Sequence, residues 1–520
     1  MAKNWRSYKK LHRWPGLIIS FVLLYYGFTG IIMNHRDLFS GIDFNRRILP
    51  SNYDYKNWNN AALKGSLAIG EDSILVYGNV GIWLTDSAFT GYSAFNSGFP
   101  KGVDNLRIFD IHMTSDGSLF AAAFSGLYGY DRKNLEWKRF ETEGREKRFM
   151  GIESIGDTVY AANRSYLFAG NADGTGTRFR IKNPAPPPGY DRKVTLFQTV
   201  WQIHSGEIFG LPGKVYVDIL GLVTIFLSVT GIIWFFAPGW IRSRVRRNRD
   251  ASSLVRTGRW SLRWHNNVGA WTFVLLILLY LTGMFLRPPL LIAIGNAKVL
   301  PLKYTHLDQP NPWYDKLRDL HYDEERGRMF LATTDGIFDM DASLMHPEEP
   351  VSQPPVSVMG ITVFEEYRDG YFLIGSFSGL FAWNPDRQGV LNFITGEPYT
   401  DTGTGRPVGD YKITGMITDA AGRPYIAEYG AGVMPLHHDR AFSEMPAEII
   451  TESRISLWSL CLEIHTGRIF ENLAGMFYIL IVPLAGITGI IVVFSGYMVW
   501  RRKYRKKGYE NILDSTHQQK

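Results

Sequence analysis

Four long apolar runs constrain the fold of this 520-residue chain more than any other feature of its sequence. They are residues 16–33, 215–236, 268–286 and 476–500. Each run is long enough to cross a bilayer, because a helix needs about 20 residues to span a hydrocarbon core of about 30 Å. The first run is followed by Asn-His-Arg and lacks a small-residue cleavage site, so we interpret it as a membrane helix and not as a signal peptide.

Basic residues cluster beside these runs and predict their orientation. Residues 1–15 carry five Lys or Arg and no acid, residues 240–266 carry eight Arg and one Asp, and residues 501–520 carry seven Lys or Arg and two acids. The rest of the chain has more acidic than basic residues, so the net charge of +7 comes from these three pieces. The positive-inside rule places all three in the cytoplasm. The charge therefore gives no reason to expect nucleic-acid binding.

This topology divides the chain into five parts. They are transmembrane helix 1 with a cytoplasmic N-terminus (1–34), a periplasmic β insert (35–212), transmembrane helices 2 and 3 with a short basic loop (213–288), a second periplasmic β insert (289–470), and transmembrane helix 4 with a basic cytoplasmic tail (471–520). The predicted fold class is α+β. We expect a four-helix membrane bundle with two large β inserts, located in the bacterial inner membrane.

The chain also repeats itself, with a helix, an insert and a second helix in each half. Residues 11–16 match 264–269 in the spacing from His to Gly and on to a Thr-Gly pair. Residues 203–209 match 464–470, and each of these segments leads into a Thr-Gly-Ile-Ile sequence. Both halves begin on the same side of the membrane, so the repeat is parallel and its pseudo-two-fold axis lies along the membrane normal.

Short alternating strands separated by turn residues fill both inserts. An Asp-x-His sequence followed by two apolar strands occurs at 110–131 and again at 319–341, with shorter copies at 370–383 and 422–427. The spacing of about 40 to 50 residues is that of one four-stranded propeller blade. We expect about three blades in each insert and one propeller of about six blades from both. Two separate β-sandwiches are the alternative.

Five of the twelve histidines flank the apolar runs, and four of them form pairs in the repeat. His12 matches His265 at the cytoplasmic edge, and His204 matches His465 at the outer edge. Facing helices are a natural place for two neutral imidazoles to bind one haem iron. The alternative is that these histidines belong to an aromatic belt at the membrane surface. The symmetry of the pairs favours axial haem ligation by all four.

Two haems, one near each membrane surface, would carry electrons across the bilayer. The chain has one cysteine, Cys461, and no CxxCH sequence, so the haem would be held by side-chain ligation alone. His35 has no counterpart in the repeat; it could replace an outer ligand or bind substrate. Arg13 and Arg263 could bond haem propionates, or could serve only as topological charge. Asp218 is either a proton-handling or haem-edge residue or a residue that faces the outer interface.

These segments resemble the PepSY-associated transmembrane family. The resemblance rests on residues 11–16, on Thr29-Gly30, and above all on 203–206 and 464–467; it covers the four helices and their flanks. The family includes iron-regulated inner-membrane proteins and haem-containing ferric-siderophore reductases. The resemblance therefore implies b-type haem and electron delivery to ferric chelates in the periplasm. Relatives often carry PepSY domains outside the membrane, whereas these inserts resemble propeller blades, which leaves the substrate open.

The leading hypothesis is a transmembrane di-haem ferric reductase that acts on a ferric siderophore or another ferric chelate. The cytoplasmic loop at 240–266 is short and carries no GxGxxG fingerprint, so it has no room for a nicotinamide or flavin domain. The electron donor would be a separate cytoplasmic reductase, a soluble flavin or membrane quinol. The competing hypotheses are a non-catalytic sensor or scaffold with a ligand-binding propeller, and a transporter.

Overall fold

The computed structural model describes residues 2–144, 146–171, 178–295, 297–341, 343–357, 360–400 and 409–517. The chain forms two compact units. The helical unit contains Met1–Phe39, Arg192–Asp308 and Trp458–Lys520, and the sheet unit contains Ser40–Asp191 and Gln309–Leu457. Each unit therefore draws on both halves of the repeat.

Four long helices dominate the helical unit. In chain order, the α-helices of the described residues are α1 Ala2–Asn34, α2 Arg36–Phe39, α3 Leu196–Ser205, α4 Gly210–Arg246, α5 Ser252–Met284, α6 Leu290–Ile294, α7 Ala447–Glu452, α8 Leu457–His465, α9 Glu471–Ala474 and α10 Ile481–His517. Among the described residues, four spans are apolar and long enough to cross a membrane: Ser7–Asn34, Glu207–Arg246, Ser252–Met284 and Arg468–Arg502. They coincide with the four predicted apolar runs.

The long helices pack as a bundle and leave apolar faces uncovered. Helix α1 packs against α4 and α10, and α5 packs against the same two helices. The contact between α1 and α4 is close, because a Cβ added to Gly27 would lie 2.7 Å from Cγ1 of Ile225. Ile18 and Trp271 are each 71% exposed on the outside of the bundle. Apolar helices with such exposed faces require a lipid surrounding, so the chain is a membrane protein.

The sheet unit consists of short antiparallel strands. In the first half of the chain they are β1 Asp43–Phe44, β2 Gly65–Gly70, β3 Ser73–Gly78, β4 Gly81–Thr85, β5 Tyr92–Ala94, β6 Ile108–Met113, β7 Leu119–Ala123, β8 Gly126–Asp131, β9 Glu136–Arg139, β10 Phe149–Ile155, β11 Thr158–Asn163, β12 Leu167–Asn171 and β13 Arg180–Lys182. Strands β2–β5, β6–β9 and β10–β13 form three sheets of four strands, each in sequence order.

The second half repeats this pattern. Its strands are β14 Val194–Thr195, β15 Lys298–Val299, β16 Leu317–Asp323, β17 Arg328–Thr333, β18 Ile337–Met340, β19 Pro347–Glu348, β20 Val363–Glu366, β21 Phe372–Ser376, β22 Gly379–Trp383, β23 Val390–Asn392, β24 Ile413–Thr418, β25 Pro424–Glu428, β26 Gly432–Pro435 and β27 Ile455–Ser456. Strands β16–β19, β20–β23 and β24–β26 form sheets four to six, while β14 pairs with β15 in the helical unit and β1 with β27 in the sheet unit.

Each sheet of the sheet unit packs against the next, and the sixth packs against the first. Thr362, before β20, donates its hydroxyl proton to the carbonyl of Ile413 in β24 at 2.8 Å, which joins sheets five and six. The amide of Met416 in β24 donates to the carbonyl of Lys64, beside β2, at 3.0 Å. A hydrophobic cluster that includes Ile74 of β3 and Tyr425 of β25 fills the space between sheets six and one. The two inserts thus share one core.

Candidate functional site

Each outer histidine lies at the end of a short helix that a glycine terminates. His204 is the second-last residue of α3, and His465 is the last residue of α8. Gly206 and Gly467 follow with φ of 78° and 75°, a left-handed conformation that glycine adopts without steric cost. A Cβ added to Gly206 would lie 2.1 Å from the carbonyl oxygen of Gly213. The His-Ser-Gly and His-Thr-Gly sequences are therefore helix ends that fix the position of each imidazole.

The structure brings the two outer histidines together at one cavity. The ring centroids of His204 and His465 are 6.4 Å apart. Both side chains line a cavity of about 340 Å³ between the long helices. A metal ion bound at about 2 Å from one nitrogen of each imidazole would separate the ring centroids by about 6 Å. The spacing of this pair is therefore suitable for two ligands of a single metal ion.

Threonines of the neighbouring helices hold one nitrogen of each outer ring. Oγ1 of Thr29 lies 2.8 Å from Nδ1 of His465, and Oγ1 of Thr282 lies 3.2 Å from Nδ1 of His204. The carbonyl oxygen of Leu279 lies 3.1 Å from the same His204 nitrogen. Thr29 and Thr282 belong to the Thr-Gly pairs that the repeat contains. The Thr-Gly pair of each half thus positions the histidine of the other half.

The same threonines determine which ring nitrogen is left for a metal. Thr29 donates its hydroxyl proton to the carbonyl of Tyr25 at 2.7 Å, and Thr282 donates to the carbonyl of Leu278 at 2.9 Å. A hydroxyl has a single proton, so its oxygen must accept the hydrogen bond from the imidazole. The proton of each neutral ring therefore lies on Nδ1. Nε2 keeps its lone pair, as a metal-binding histidine requires.

The inner histidines repeat this arrangement. The ring centroids of His12 and His265 are 5.9 Å apart, and both side chains line a smaller cavity of about 100 Å³. Nδ1 of His265 lies 3.0 Å from Oγ1 of Thr230, which donates its own proton to the carbonyl of Phe226. Nδ1 of His12 lies 3.0 Å from the carbonyl oxygen of Val492 and can only donate to it. Both inner rings thus also carry the proton on Nδ1.

A glycine approaches each of the four rings. A Cβ added to Gly283 would lie 2.7 Å from Cε1 of His204, and one added to Gly496 would lie 2.7 Å from Cε1 of His12. For Gly231 and His265 the distance would be 3.3 Å, and for Gly30 and His465 it would be 3.4 Å. A methyl group at the first two positions would displace the ring, whereas the last two need only a small shift. The glycine beside His12 is Gly496 of α10. It lies two helical turns beyond Gly489, the glycine of the Thr-Gly pair in this helix.

His35 is hydrogen-bonded to Asp218 and belongs to neither of the two histidine pairs. Nε2 of His35 and Oδ2 of Asp218 are 2.6 Å apart, and the side-chain amide of Asn34 donates to Oδ1 of the same carboxylate at 3.0 Å. Asn34 and Asp218 line the outer cavity. His35 and Asp218 are therefore one hydrogen-bonded unit between α1 and α4, a pairing that the sequence did not predict.

The two arginines named from the sequence are exposed. The guanidinium carbon of Arg13 lies 5.2 Å from the ring centroid of Phe235, and Arg263 is exposed on α5. Sequence reasoning missed a third arginine, Arg287, which lines the outer cavity. Its only sequence signal is its place at the end of the third apolar run.

Within the part of the chain that the structure describes, no group of three or more His, Cys, Asp or Glu side chains could hold a metal ion. Each histidine pair supplies two nitrogen ligands and no more. A metal bound there would need further ligands that are not protein side chains of the described residues. That is the ligand pattern of a haem with two axial histidines.

A second cluster of ionisable groups lies within the sheet unit. Nδ1 of His321 is 3.3 Å from Oε1 of Glu153, and Nε2 of His321 is 3.5 Å from Oε1 of Glu366. Burial opposes the charge on His321, but its interactions with these two carboxylates raise its pKa to about 10. Loss of solvation within the cluster raises the pKa of Asp319 well above its usual value and that of Glu365 to about 7, although Glu365 is still exposed on one side. The cluster thus contains carboxyl groups whose pKa values are raised.

The helices and the histidine pairs together define a class: a membrane protein of four apolar helices that carries two pairs of facing histidines. The family model described as the PepSY-associated TM region matches residues 2–237 and 239–503, so the chain belongs to this family. One match falls on each half, which agrees with the internal duplication. None of the curated proteins matches the chain.

Solved structures match parts of the chain at low identity. The extracellular domain of BT4673 from B. thetaiotaomicron has 12% identity and a TM-score of 0.34; the match covers 74% of this chain and 40% of that one. PorZ, a surface component of the type-IX secretion system of Porphyromonas gingivalis, has 11% identity and a TM-score of 0.32, with 70% and 37% covered. The computationally designed Ika8 protein has 8% identity and a TM-score of 0.29, with 73% and 98% covered.

Proposed function

We propose that this protein is a di-haem electron-transfer protein of the bacterial inner membrane that reduces ferric chelates outside the cytoplasm, as a ferric-siderophore reductase does. The observation that supports this proposal is the pair of histidine sites, with ring centroids 5.9 Å and 6.4 Å apart and with Nδ1 hydrogen-bonded in each ring. Haem b bound at each site would supply an iron that gains and loses one electron at a time.

The residues present fit this cofactor. Each site offers two imidazoles whose Nε2 atoms keep their lone pairs, and the outer cavity of about 340 Å³ is within the usual size range of small-molecule sites. The inner cavity of about 100 Å³ is smaller, so the fit of haem to the inner site rests on its histidine pair. The threonine and carbonyl partners of Nδ1 would hold the rings in place and make them better ligands.

The orientation follows from the basic residues beside the helices. Residues 1–15, 240–266 and 501–520 are strongly basic, and the positive-inside rule assigns them to the cytoplasm. The sheet unit would then lie in the periplasm. Electrons would enter near His12 and His265 and leave near His204 and His465. The donor would be a separate cytoplasmic reductase, a soluble flavin or membrane quinol.

We also propose that the six sheets form a single six-bladed propeller. Their three or four strands in sequence order, and the packing of each sheet on the next and of the sixth on the first, support this arrangement. The hydrogen-bonded pair of β1 and β27 joins the beginning of the first insert to the end of the second. Such a domain would bind a ferric siderophore or another ferric chelate. One electron per ferric ion would then give Fe(II), which siderophores bind far more weakly.

An absorption spectrum of the full-length purified protein tests the proposal. We expect a Soret band and α and β bands that sharpen when dithionite is added, with two haems per chain. A protein that stays colourless although haem was available during expression would contradict haem binding. That outcome would leave a non-catalytic sensor or scaffold with a ligand-binding sheet unit as the function to test next.

A glycine substitution should disturb the outer haem selectively. We expect Gly283→Ala to lower the haem content of the outer site, because its Cβ would lie 2.7 Å from Cε1 of His204. Gly30→Ala is the matched control, since its Cβ would lie at 3.4 Å from His465. The measurement is the haem-to-protein ratio after size-exclusion chromatography. Equal haem loss in both variants would show that the glycines do not act through ring position.

A further inference from the structure

The two-fold-related positions around the outer cavity carry different charges. Arg287, after α5, corresponds in the repeat to Asn34 at the end of α1, and both line the cavity. Arg468 corresponds in the same way to Glu207, which also lines it. The second half of the chain therefore contributes one arginine to the cavity wall, Arg287, where the first half contributes the amide of Asn34 and the carboxylate of Glu207. A ligand between His204 and His465 thus meets an electrostatically asymmetric site.

The charges on the first-half side are already paired. Nζ of Lys214 lies 3.4 Å from Oε1 of Glu207. The carboxylate of Asp218 is engaged by His35 at 2.6 Å and by Asn34 at 3.0 Å. Each of these side chains therefore already has a hydrogen-bond or ion-pair partner within the protein.

The second-half side has unused hydrogen-bond donors. Among the described residues, the buried Nε atoms of Arg287 and Arg468 have no hydrogen-bond partner. A terminal nitrogen of Arg468 is bonded to Glu463, and Arg287 shares a hydrogen bond with Tyr478. A buried charged donor without a partner is costly, so an acceptor oxygen is missing beside Arg287. The position of Arg287 on the cavity wall indicates that a ligand supplies this oxygen.

We infer that Arg287 binds a carboxylate group of the ligand that lies between His204 and His465. A guanidinium group forms paired hydrogen bonds with a carboxylate, and at this position it would set the orientation of the ligand in the cavity. The inference rests on the proposed function. The carboxylate could belong to a propionate of the outer haem or to a ferric chelate with carboxylate groups.

A comparison of haem b with its dimethyl ester tests the first source. The full-length protein, carrying His12→Ala and His265→Ala so that only the outer site binds, is expressed without haem and titrated with each compound. We expect haem b to bind at least about tenfold more tightly than the ester, because the ester cannot accept charge-assisted bonds in the same way. Arg287→Gln should remove this preference. If that variant does not fold, Arg287→Lys should reduce it, since lysine lacks the planar fork.

Lys214→Gln is the matched control, because it removes the same charge from the same cavity but from a residue paired with Glu207. It should keep the preference for haem b over the ester. A second titration, with ferric citrate, tests the chelate as the source. If Arg287→Gln keeps the haem preference but weakens ferric citrate binding about tenfold, the chelate supplies the carboxylate. If neither changes, the carboxylate site is overturned. If the wild-type protein binds no haem, the proposed function is contradicted. The ferric citrate titration of the wild type and of Arg287→Gln then tests by itself whether Arg287 binds a carboxylate.

Discussion

If the protein binds two haems as we propose, replacing His465 with alanine is expected to leave only the inner haem in the low-spin state. His465 provides one of the two imidazoles at the outer cavity, 6.4 Å from that of His204. With one ligand removed, the outer haem is either lost or held by a single histidine in a high-spin state. The low-spin α band of the reduced protein should fall to about half, and electron transfer to an external ferric chelate should stop.

The pairing of the histidines makes this prediction specific. His204→Ala should affect the same haem as His465→Ala, and the double variant should lose no more low-spin signal than either single one. His12→Ala and His265→Ala should affect the other haem. His346→Ala is the control, because His346 is exposed in the sheet unit. If His204→Ala and His465→Ala remove different haems, the pairs found in the structure are not ligand pairs.

The membrane helices could be predicted from the sequence because length and hydropathy are sufficient signals. The four apolar runs coincide with the spans that begin at Ser7, Glu207, Ser252 and Arg468. The helices continue beyond the apolar runs, since α4 extends to Arg246 and α5 begins at Ser252. The polar ends of these helices leave no hydropathy signal, and only the backbone hydrogen bonds show them.

The histidine pairs could also be predicted, because the repeat places them at matching positions. The hydrogen-bond partners of these histidines could not be predicted from the sequence. The Thr-Gly pairs look like helix-packing motifs, yet Thr29 and Thr282 bond the histidines of the opposite half. That contact depends on which helices are neighbours in space. The bond between His35 and Asp218 joins residues 183 positions apart, and nothing local in the sequence indicates it.

The Asp-x-His sequence in the inserts has a second meaning that the repeat alone did not show. In the sequence it is one part of the pattern that repeats from blade to blade. In the structure, it places Asp110 in β6 and both Asp319 and His321 in β16. These side chains lie together with Glu153 and Glu365 in one cluster whose members shift each other's pKa values. The residues of the cluster lie on β6, β10, β16 and β20, each the first strand of its sheet. The cluster could therefore be recognised only after the order of the sheets was known.

Replacing Glu365 with glutamine is expected to stabilise the sheet unit at neutral and alkaline pH and to leave it unchanged in acid. The pKa of Glu365 is raised from 4.5 to about 7, first because its carboxyl group loses solvation; His321 opposes this shift, and the carboxylates of Asp110, Glu153 and Glu366 add to it. The folded state therefore binds this proton more tightly than the unfolded state. The resulting stability is complete below about pH 4.5 and is lost as the pH rises through about 7.

Glutamine has the shape of the protonated acid and cannot ionise, so the variant should not lose this stability. Above pH 7 the variant should be the more stable of the two, but by less than the full pKa shift implies, because Glu365 is exposed in β20 and solvent screens its charge. Amide hydrogen exchange in β20 and β21, measured from pH 5 to 8 and corrected for intrinsic rates, reports the local free energy of opening. Glu324→Gln, on an exposed turn, should follow the wild type throughout. If Glu365→Gln shows the wild-type pH dependence, then Glu365 is already ionised in the folded protein. In that case the carboxylate of Glu365 would be one of the negative charges that stabilise the positive charge of His321.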